Sequence, residues 1–90
     1  MIDYVHDTST LASLHAACFD PPWLEESFTE LLRGAGVHAL GDANGFIIIR
    51  CVADEAEILS LGVLPARRRS GLARKLVRAA MELAVTQYRV

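Results

Sequence analysis

Long apolar runs, an export signal and paired-cysteine motifs are all missing from this sequence, and each absence narrows its class. The longest apolar stretch, Gly45–Ile49 with its flanks, is far shorter than a membrane span. The first residues, Met1 to Tyr4, contain no basic stretch ahead of an apolar one, so no signal peptide is predicted. The two cysteines, Cys18 and Cys51, lack CxxC spacing, and we expect reduced thiols in a cytoplasmic protein without membrane association.

Metal and nucleotide signatures are also missing. The three histidines (His6, His15 and His38) do not have the spacing of metal ligands, so we expect no metal site. There is no GxxxxGK[ST] motif and no GxGxxG motif, which argues against a Walker loop and against the dinucleotide fingerprint.

The length and composition are those of one folded domain covering residues 1–90. Ninety residues suffice for a single domain but not for two. The hydrophobic fraction of 52% lies above the usual range, which excludes a disordered tail. So much apolar sequence also indicates that part of the surface is covered by a partner chain or by further sequence.

Basic residues are almost absent from the first two thirds of the chain. Residues 1–66 contain ten acidic residues but only two basic ones, Arg33 and Arg50. Residues 67–78 contain no acidic residue and six basic ones, which are Arg67, Arg68, Arg69, Arg74, Lys75 and Arg78. A nucleic-acid-binding domain is more often basic overall, whereas such a compact patch favours a small polyanion as ligand.

Apolar periodicity and turn residues predict an α/β fold in the order strand, helix, helix, three antiparallel strands, helix. In this α/β (α+β) layer arrangement the helices cover a mostly antiparallel sheet. Prolines after Asp20 end the first helix, and a glycine-rich segment ends the second. The predicted bounds are Ile2–Val5, about Asp7 to Cys18, Leu24–Arg33, Val37–Leu40, Phe46–Val52, Glu57–Leu64 and about Ser70 to Tyr88.

The segment from Arg68 to Ala73 has the features of an anion site. It follows a strand and opens a helix, whose first amides have no internal partner and whose dipole adds positive potential. Gly71 lacks a Cβ, so a phosphate could approach its main chain closely. Arginines are disfavoured at a helix N-terminus, and a bound polyphosphate would explain them. From charge alone, a solvated basic face without a ligand is equally consistent.

The pattern Arg68-x-x-Gly71-x-Ala73, preceded by Gly62-Val63-Leu64-Pro65, resembles the acetyl-CoA signature of the GNAT superfamily of N-acetyltransferases. A second segment, from His15 to Trp23 and followed by Ser27-Phe28, resembles the ribosomal-protein-alanine N-acetyltransferases (the RimI-like branch). The strand at residues 57–63 is also similar to the fourth strand of that branch. The resemblance extends from about Ile2 to Tyr88.

The resemblance implies acetyl-CoA-dependent acetylation of a peptide or protein amine, by analogy an N-terminal alanine, without a metal. It implies a bulged strand whose main chain at Leu61, Gly62 and Val63 binds the pantetheine arm. The pyrophosphate would be bound by the loop residues Arg68, Arg69, Ser70, Gly71, Leu72 and Ala73. Phe19 and Trp23 would line the acceptor groove, although a core position is equally consistent with them. Glu57 is the candidate general base, although a solvated strand carboxylate is the favoured interpretation.

The sequence departs from the family pattern at its end. The resemblance implies a catalytic Glu on a fifth strand and a Tyr general acid on the next helix, and both would lie beyond Val90. The chain is thus expected to be a C-terminally truncated GNAT domain. It could be a fragment, a shortened gene leaving an acyl-CoA-binding remnant without turnover, or one half of a pair of chains that complete each other. The apolar composition and the bare edge of the fourth strand favour association, and we predict a homodimer.

Overall fold

The computed structural model describes residues 1–89 and shows a four-stranded antiparallel sheet in the order β1-β2-β3-β4, with helices on both faces. A short 3₁₀ turn, Pro65–Arg67, connects the last strand to the last helix. No helix in this part of the chain combines the length and apolarity needed to cross a membrane. The elements are β1 (Asp3–Tyr4), α1 (Thr8–Cys18), α2 (Glu25–Leu32), β2 (Val37–Asp42), β3 (Gly45–Val52), β4 (Glu55–Val63) and α3 (Leu72–Tyr88).

The predicted α/β class and element order are confirmed, and the differences lie at the element ends. β1 has two residues where Ile2–Val5 was predicted. Both hairpin turns are shorter than predicted, because residues of the turn-rich segments pair within the strands. In the first hairpin the Asp42 carboxylate accepts a hydrogen bond from the Asn44 amide at 2.8 Å, which closes a two-residue turn. In the second, Ala53 adopts a positive φ of 55°, so β4 begins at Glu55 rather than Glu57.

Strand β3 is buried on both of its faces and therefore separates two apolar cores. Phe46 and Ile48 face α1 and α2, whereas Ile47 and Ile49 face α3. All four are at most 2% exposed. Cys51 continues the α3 side, and burial raises the pKa of its thiol. It is a free thiol that packs as a small apolar residue, in agreement with the interpretation from sequence.

A β-bulge interrupts the pairing of β4 with β3. Ile48 pairs with Ser60, but the next residue, Ile49, pairs with Ile58, so that Leu59 has no partner. Because side chains alternate between the faces of a strand, the extra residue moves Ile58 to the α3 face while Leu59 packs towards α1. The bulge therefore divides β4 into two halves with different surroundings.

His15 is the one buried polar side chain among the described residues, at 3% exposure. Its Nδ1 accepts a hydrogen bond from the Trp23 backbone amide at 3.1 Å, which requires the neutral ring with the proton on Nε2. Four aromatic rings surround it, with centroid distances of 4.4 Å to Phe19, 4.9 Å to Trp23, 5.4 Å to Phe28 and 6.1 Å to Phe46. Burial lowers the pKa of His15, because this surrounding cannot solvate an imidazolium.

We predict that the free energy of unfolding decreases as the pH is lowered below the ordinary histidine pKa of about 6.5. The folded state disfavours protonation of His15, so at low pH the unfolded state binds more protons. The stability that is present above this pKa is therefore lost as the pH falls. The slope is at most about 1.4 kcal/mol per pH unit for one group. Urea unfolding at several pH values between 5 and 7.5 measures this slope. The Asp7 carboxylate, which caps α1, does not interfere, because its hydrogen bonds to Ser9 lower its pKa and it titrates below this range.

The control is the variant His15→Asn, whose amide oxygen can accept the Trp23 hydrogen bond but which does not titrate. It is expected to be less stable throughout, because it loses the ring packing, and to have a flatter dependence on pH. An equal slope in both proteins would show that other groups cause the pH dependence.

Candidate functional site

The arginine-rich loop connects the end of β4 to the start of α3 through an irregular backbone. After the 3₁₀ turn, Arg69 and Gly71 both adopt left-handed conformations, with φ of 66° and 85°. The Ser70 hydroxyl donates a hydrogen bond to the Arg67 carbonyl at 2.5 Å, which closes the turn between them. The helix therefore begins at Leu72, two residues later than predicted, because residues with left-handed backbone cannot join it.

The N-terminus of α3 has no side-chain cap among the described residues. Gly71 is its N-cap, and there is no acidic residue in the first turn. The Gly71 carbonyl accepts a hydrogen bond from the Lys75 amide at 3.1 Å. A Cβ built on Gly71 would meet no atom within 4 Å. The space beside the Gly71 backbone is therefore open, and it lies at a helix N-terminus, where free amides and the helix dipole favour a negative charge.

The arginines lie around this open space. The Arg68 Nε donates a hydrogen bond to the Val63 carbonyl at 3.2 Å, which anchors the side chain to the strand end and leaves its other N–H groups available. No described residue forms an ion pair with any of the loop arginines. The surface cavity at this position is lined by Val63, Arg67, Arg68, Arg69, Gly71, Leu72, Ala73 and Arg74.

The strand residues predicted to bind the pantetheine arm lie beyond the bulge, next to the loop. Leu61, Gly62 and Val63 pair with β3 on one side, and β4 is an edge of the sheet in the described part of the chain. About every second residue of an edge strand directs its amide and carbonyl away from the sheet. A Cβ on Gly62 would lie 2.7 Å from the Phe46 ring and 3.1 Å from the Cys18 sulfur, so glycine is required there by packing.

Glu57 lies on the other side of the bulge, within an ion pair that the sequence did not indicate. Its Oε1 accepts a hydrogen bond from the Arg50 guanidinium at 2.6 Å, and both side chains are about half exposed. The two residues are directly paired across β3 and β4. Four residues of strand, roughly 13 Å, separate Glu57 from Leu61. The geometry supports the interpretation of Glu57 as a solvated strand carboxylate.

Phe19 and Trp23 are neither wholly core nor wholly free. They are 39% and 40% exposed, respectively, and each stacks one ring face on His15. The sequence did not predict that His15 is the centre of this cluster. The spacing of four residues between His15, on α1, and Phe19, which directly follows α1, was a possible signal. Since Cys18 adjoins both Phe19 and Gly62, the cluster starts beside the strand residues described above.

Residues 1–89 contain no group of three or more His, Cys, Asp or Glu side chains arranged to bind a metal ion. His38 instead bonds the Tyr88 hydroxyl through Nε2 at 2.5 Å, which ties the end of α3 to β2. This contact, too, was not apparent from the sequence, because the two residues lie fifty positions apart.

Comparison with known proteins identifies the family. Residues 8–90 match the model of the acetyltransferase (GNAT) family. The chain is 33% identical over 88 residues to a putative [ribosomal protein bS18]-alanine N-acetyltransferase of Bacillus subtilis (strain 168), an alignment that covers 91% of this chain and 54% of the relative.

Solved structures share the fold at lower identity. The ribosomal-protein-S18-alanine N-acetyltransferase of Escherichia coli superposes with a TM-score of 0.80 at 23% identity, over 93% of this chain and 58% of that one. An aminoglycoside antibiotic 6'-N-acetyltransferase of Acinetobacter haemolyticus superposes with a TM-score of 0.72 at 21% identity, over 93% and 70%. The fold thus accompanies acceptors of very different chemistry.

This chain spans little more than half the length of the first two relatives. The part that it spans contains the arginine-rich loop, the bulged strand and the helix that follows them. On the family match, which covers nearly the whole chain, and on this geometry, the protein belongs to the acetyltransferase (GNAT) family.

Proposed function

We propose that this chain binds acetyl-CoA and that the acetyl group of the bound acetyl-CoA is transferred to the amino group of a peptide or protein. The observation that carries the proposal is the open, uncapped N-terminus of α3 at Gly71, surrounded by arginines that have no acidic partner in residues 1–89. Arginines at such a position are unfavourable without an anion, and a pyrophosphate supplies two adjacent anionic groups.

The proposed roles follow from the placement of each residue. The amides from Arg69 to Ala73 would hold the pyrophosphate, because the Arg68 amide already donates to the Pro65 carbonyl at 3.4 Å; Arg68 and Arg69 would add charge through their side chains. The outer main-chain groups of Leu61, Gly62 and Val63 would hold the pantetheine arm. The Val63 carbonyl already accepts from Arg68, so its amide is the group more available to the arm. The cosubstrate supplies an activated thioester, and Phe19 and Trp23 would line the approach of the acceptor.

The acceptor class is proposed from the curated relative. That protein is named as acting on alanine of ribosomal protein bS18, and 33% identity supports a protein N-terminus as acceptor here too.

A second function, binding of acyl-CoA without turnover, is favoured by one observation. Glu57, the candidate base, is occupied by its ion pair with Arg50. A compartment with reduced thiols, the cytoplasm, is consistent with the two free cysteines.

The proposed homodimer is supported by an uncovered apolar surface. Ile58, Met81 and Val85 are 53%, 62% and 57% exposed, and they lie together beside the edge of β4. Contiguous exposed apolar residues of this kind mark association sites on folded domains.

We expect Gly71→Ala to weaken acetyl-CoA binding at least tenfold, because the new Cβ enters the space that the phosphates would occupy. It should also lower the free energy of unfolding by about 1–2 kcal/mol, since alanine is strained at positive φ. Isothermal calorimetry with acetyl-CoA measures the affinity. The matched control is Gly34→Ala, away from the loop, which should bind as the unchanged protein does. Equal affinities for all three would contradict the proposed phosphate site.

The role of Glu57 is tested by comparing Glu57→Gln with Arg50→Gln. If the pair is structural, both variants lose up to about 1 kcal/mol of stability and acetylate a peptide with an N-terminal alanine at the same rate. Release of free CoA and the mass of the peptide are the readouts. A rate at least tenfold lower in Glu57→Gln alone would assign the general base to Glu57. Acetyl-CoA binding without any CoA release would support the second function.

Light scattering after size-exclusion chromatography is expected to give twice the chain mass of 9.8 kDa at micromolar concentration. Met81→Glu should be monomeric, because it places a charge in the middle of the exposed apolar surface, while acetyl-CoA binding is retained. A stable monomer of the unchanged protein at that concentration would exclude the homodimer.

A further inference from the structure

In the connection between α1 and α2, two aromatic rings, those of Phe19 and Trp23, are partly exposed to solvent and pack on the buried His15. The inner faces of Phe19 and Trp23 stack on His15 with interplanar angles of 29° and 23°. The Trp23 amide is bonded to His15, and its indole also contacts the Phe28 ring at a centroid distance of 5.5 Å. These inner contacts fix the position of the indole, and Trp23 is still 40% exposed. The rings are therefore ordered before any partner binds, which reduces the entropy lost on binding.

The surface next to Trp23 combines this indole with a carboxylate. Trp23 and Glu30 line one shallow cavity, together with Ser27 and Leu31. Glu30 is exposed and forms no ion pair within residues 1–89, in which the one ion pair is that of Arg50 with Glu57. Glu25, by contrast, accepts a hydrogen bond from the Thr8 hydroxyl at 3.0 Å. The carboxylate beside the indole is thus available to an external group.

A ring face and a carboxylate in one cavity select a cationic side chain. The indole attracts a guanidinium or an ammonium through its quadrupole, and an arginine can in addition form two parallel hydrogen bonds with a carboxylate. An uncharged apolar side chain would gain from the ring but leave the carboxylate without a partner. A phosphate-bearing partner would be repelled, because residues 19–33 carry four carboxylates and one arginine.

We propose that Trp23 and Glu30 form a subsite for an arginine or lysine side chain of the acceptor polypeptide. This inference rests on the proposed transfer to a peptide amine and specifies that the acceptor is basic near its reacting end. The position of the subsite agrees with that role. Phe19 follows Cys18, whose sulfur adjoins Gly62 on the strand proposed for the pantetheine arm. The acceptor would therefore extend from the reacting end, past Phe19, to Trp23.

The single tryptophan of the chain allows a direct test, because its fluorescence reports on this subsite alone. The probes are two peptides that begin with alanine, one containing arginine at the following positions and the other containing the uncharged isostere citrulline at the same positions. Each is titrated into the full chain in the presence of acetyl-CoA at low salt. We expect a saturable change of Trp23 fluorescence with the arginine peptide and at least tenfold weaker binding of the citrulline peptide.

The variant Glu30→Gln should weaken binding of the arginine peptide at least threefold and reduce its dependence on salt. The matched control Glu55→Gln removes one exposed carboxylate at the start of β4, and it should leave the affinity unchanged. Equal affinities for the two peptides, or equal effects of the two variants, would overturn the proposed subsite. Calorimetry with acetyl-CoA alone separates the two hypotheses: failure to bind acetyl-CoA would contradict the proposed function, whereas acetyl-CoA binding without discrimination between the peptides would contradict the subsite.

Discussion

Burial of strand β3 on both faces is the constraint on which the rest of this structure depends. Its alternating side chains belong to two separate cores, so α1 and α2 are held on one side and α3 on the other. Because β4 pairs with this rigid strand, the bulge at Leu59 and the loop after Val63 are held at defined positions relative to both layers. The loop can be irregular because its two ends are fixed by packing.

The loop itself has features that cost stability in the absence of a ligand. An arginine with positive φ, a glycine as N-cap and several cations at a helix N-terminus are each unfavourable in a protein that only has to fold. Together they place an uncapped helix N-terminus and several positive charges at one open position. Such unfavourable local features, gathered at one position of a fold, are typical of a functional site.

The aromatic cluster around His15 couples the α1 core to the surface. The histidine is neutral because it is buried. As a neutral ring it accepts a hydrogen bond from the Trp23 amide, stacks on Phe19 and Trp23, and meets Phe28 edge-on. The same interactions that make it costly to protonate also hold the indole against the connection between the helices. His15 therefore contributes both to the packing of the α1 core and to the position of the exposed Trp23 indole, and protonation of His15 would disturb both.

Sequence patterns alone predict the α/β class, the order of the elements, the position of the arginine-rich loop and the family. Each of these depends on local patterns: apolar periodicity, turn residues, and the motif from Arg68 to Ala73 that follows a strand. The helix start was predicted two residues too early because the left-handed conformation of Arg69 is not encoded by a residue type that favours it. The strand ends were misjudged because turn-forming residues such as Asp42 and Gly45 pair within the sheet.

Contacts between residues far apart in the chain could not be predicted and are seen only in the folded structure. The ion pair of Glu57 with Arg50 arises from strand register, the bond of His38 to Tyr88 joins residues far apart in the chain, and Trp23 comes to lie beside Glu30 because the connection folds back onto His15. A local pattern specifies the backbone because the relevant forces act between near neighbours. The partner of a side chain depends instead on how helices and strands pack, and that arrangement forms only when both cores are closed.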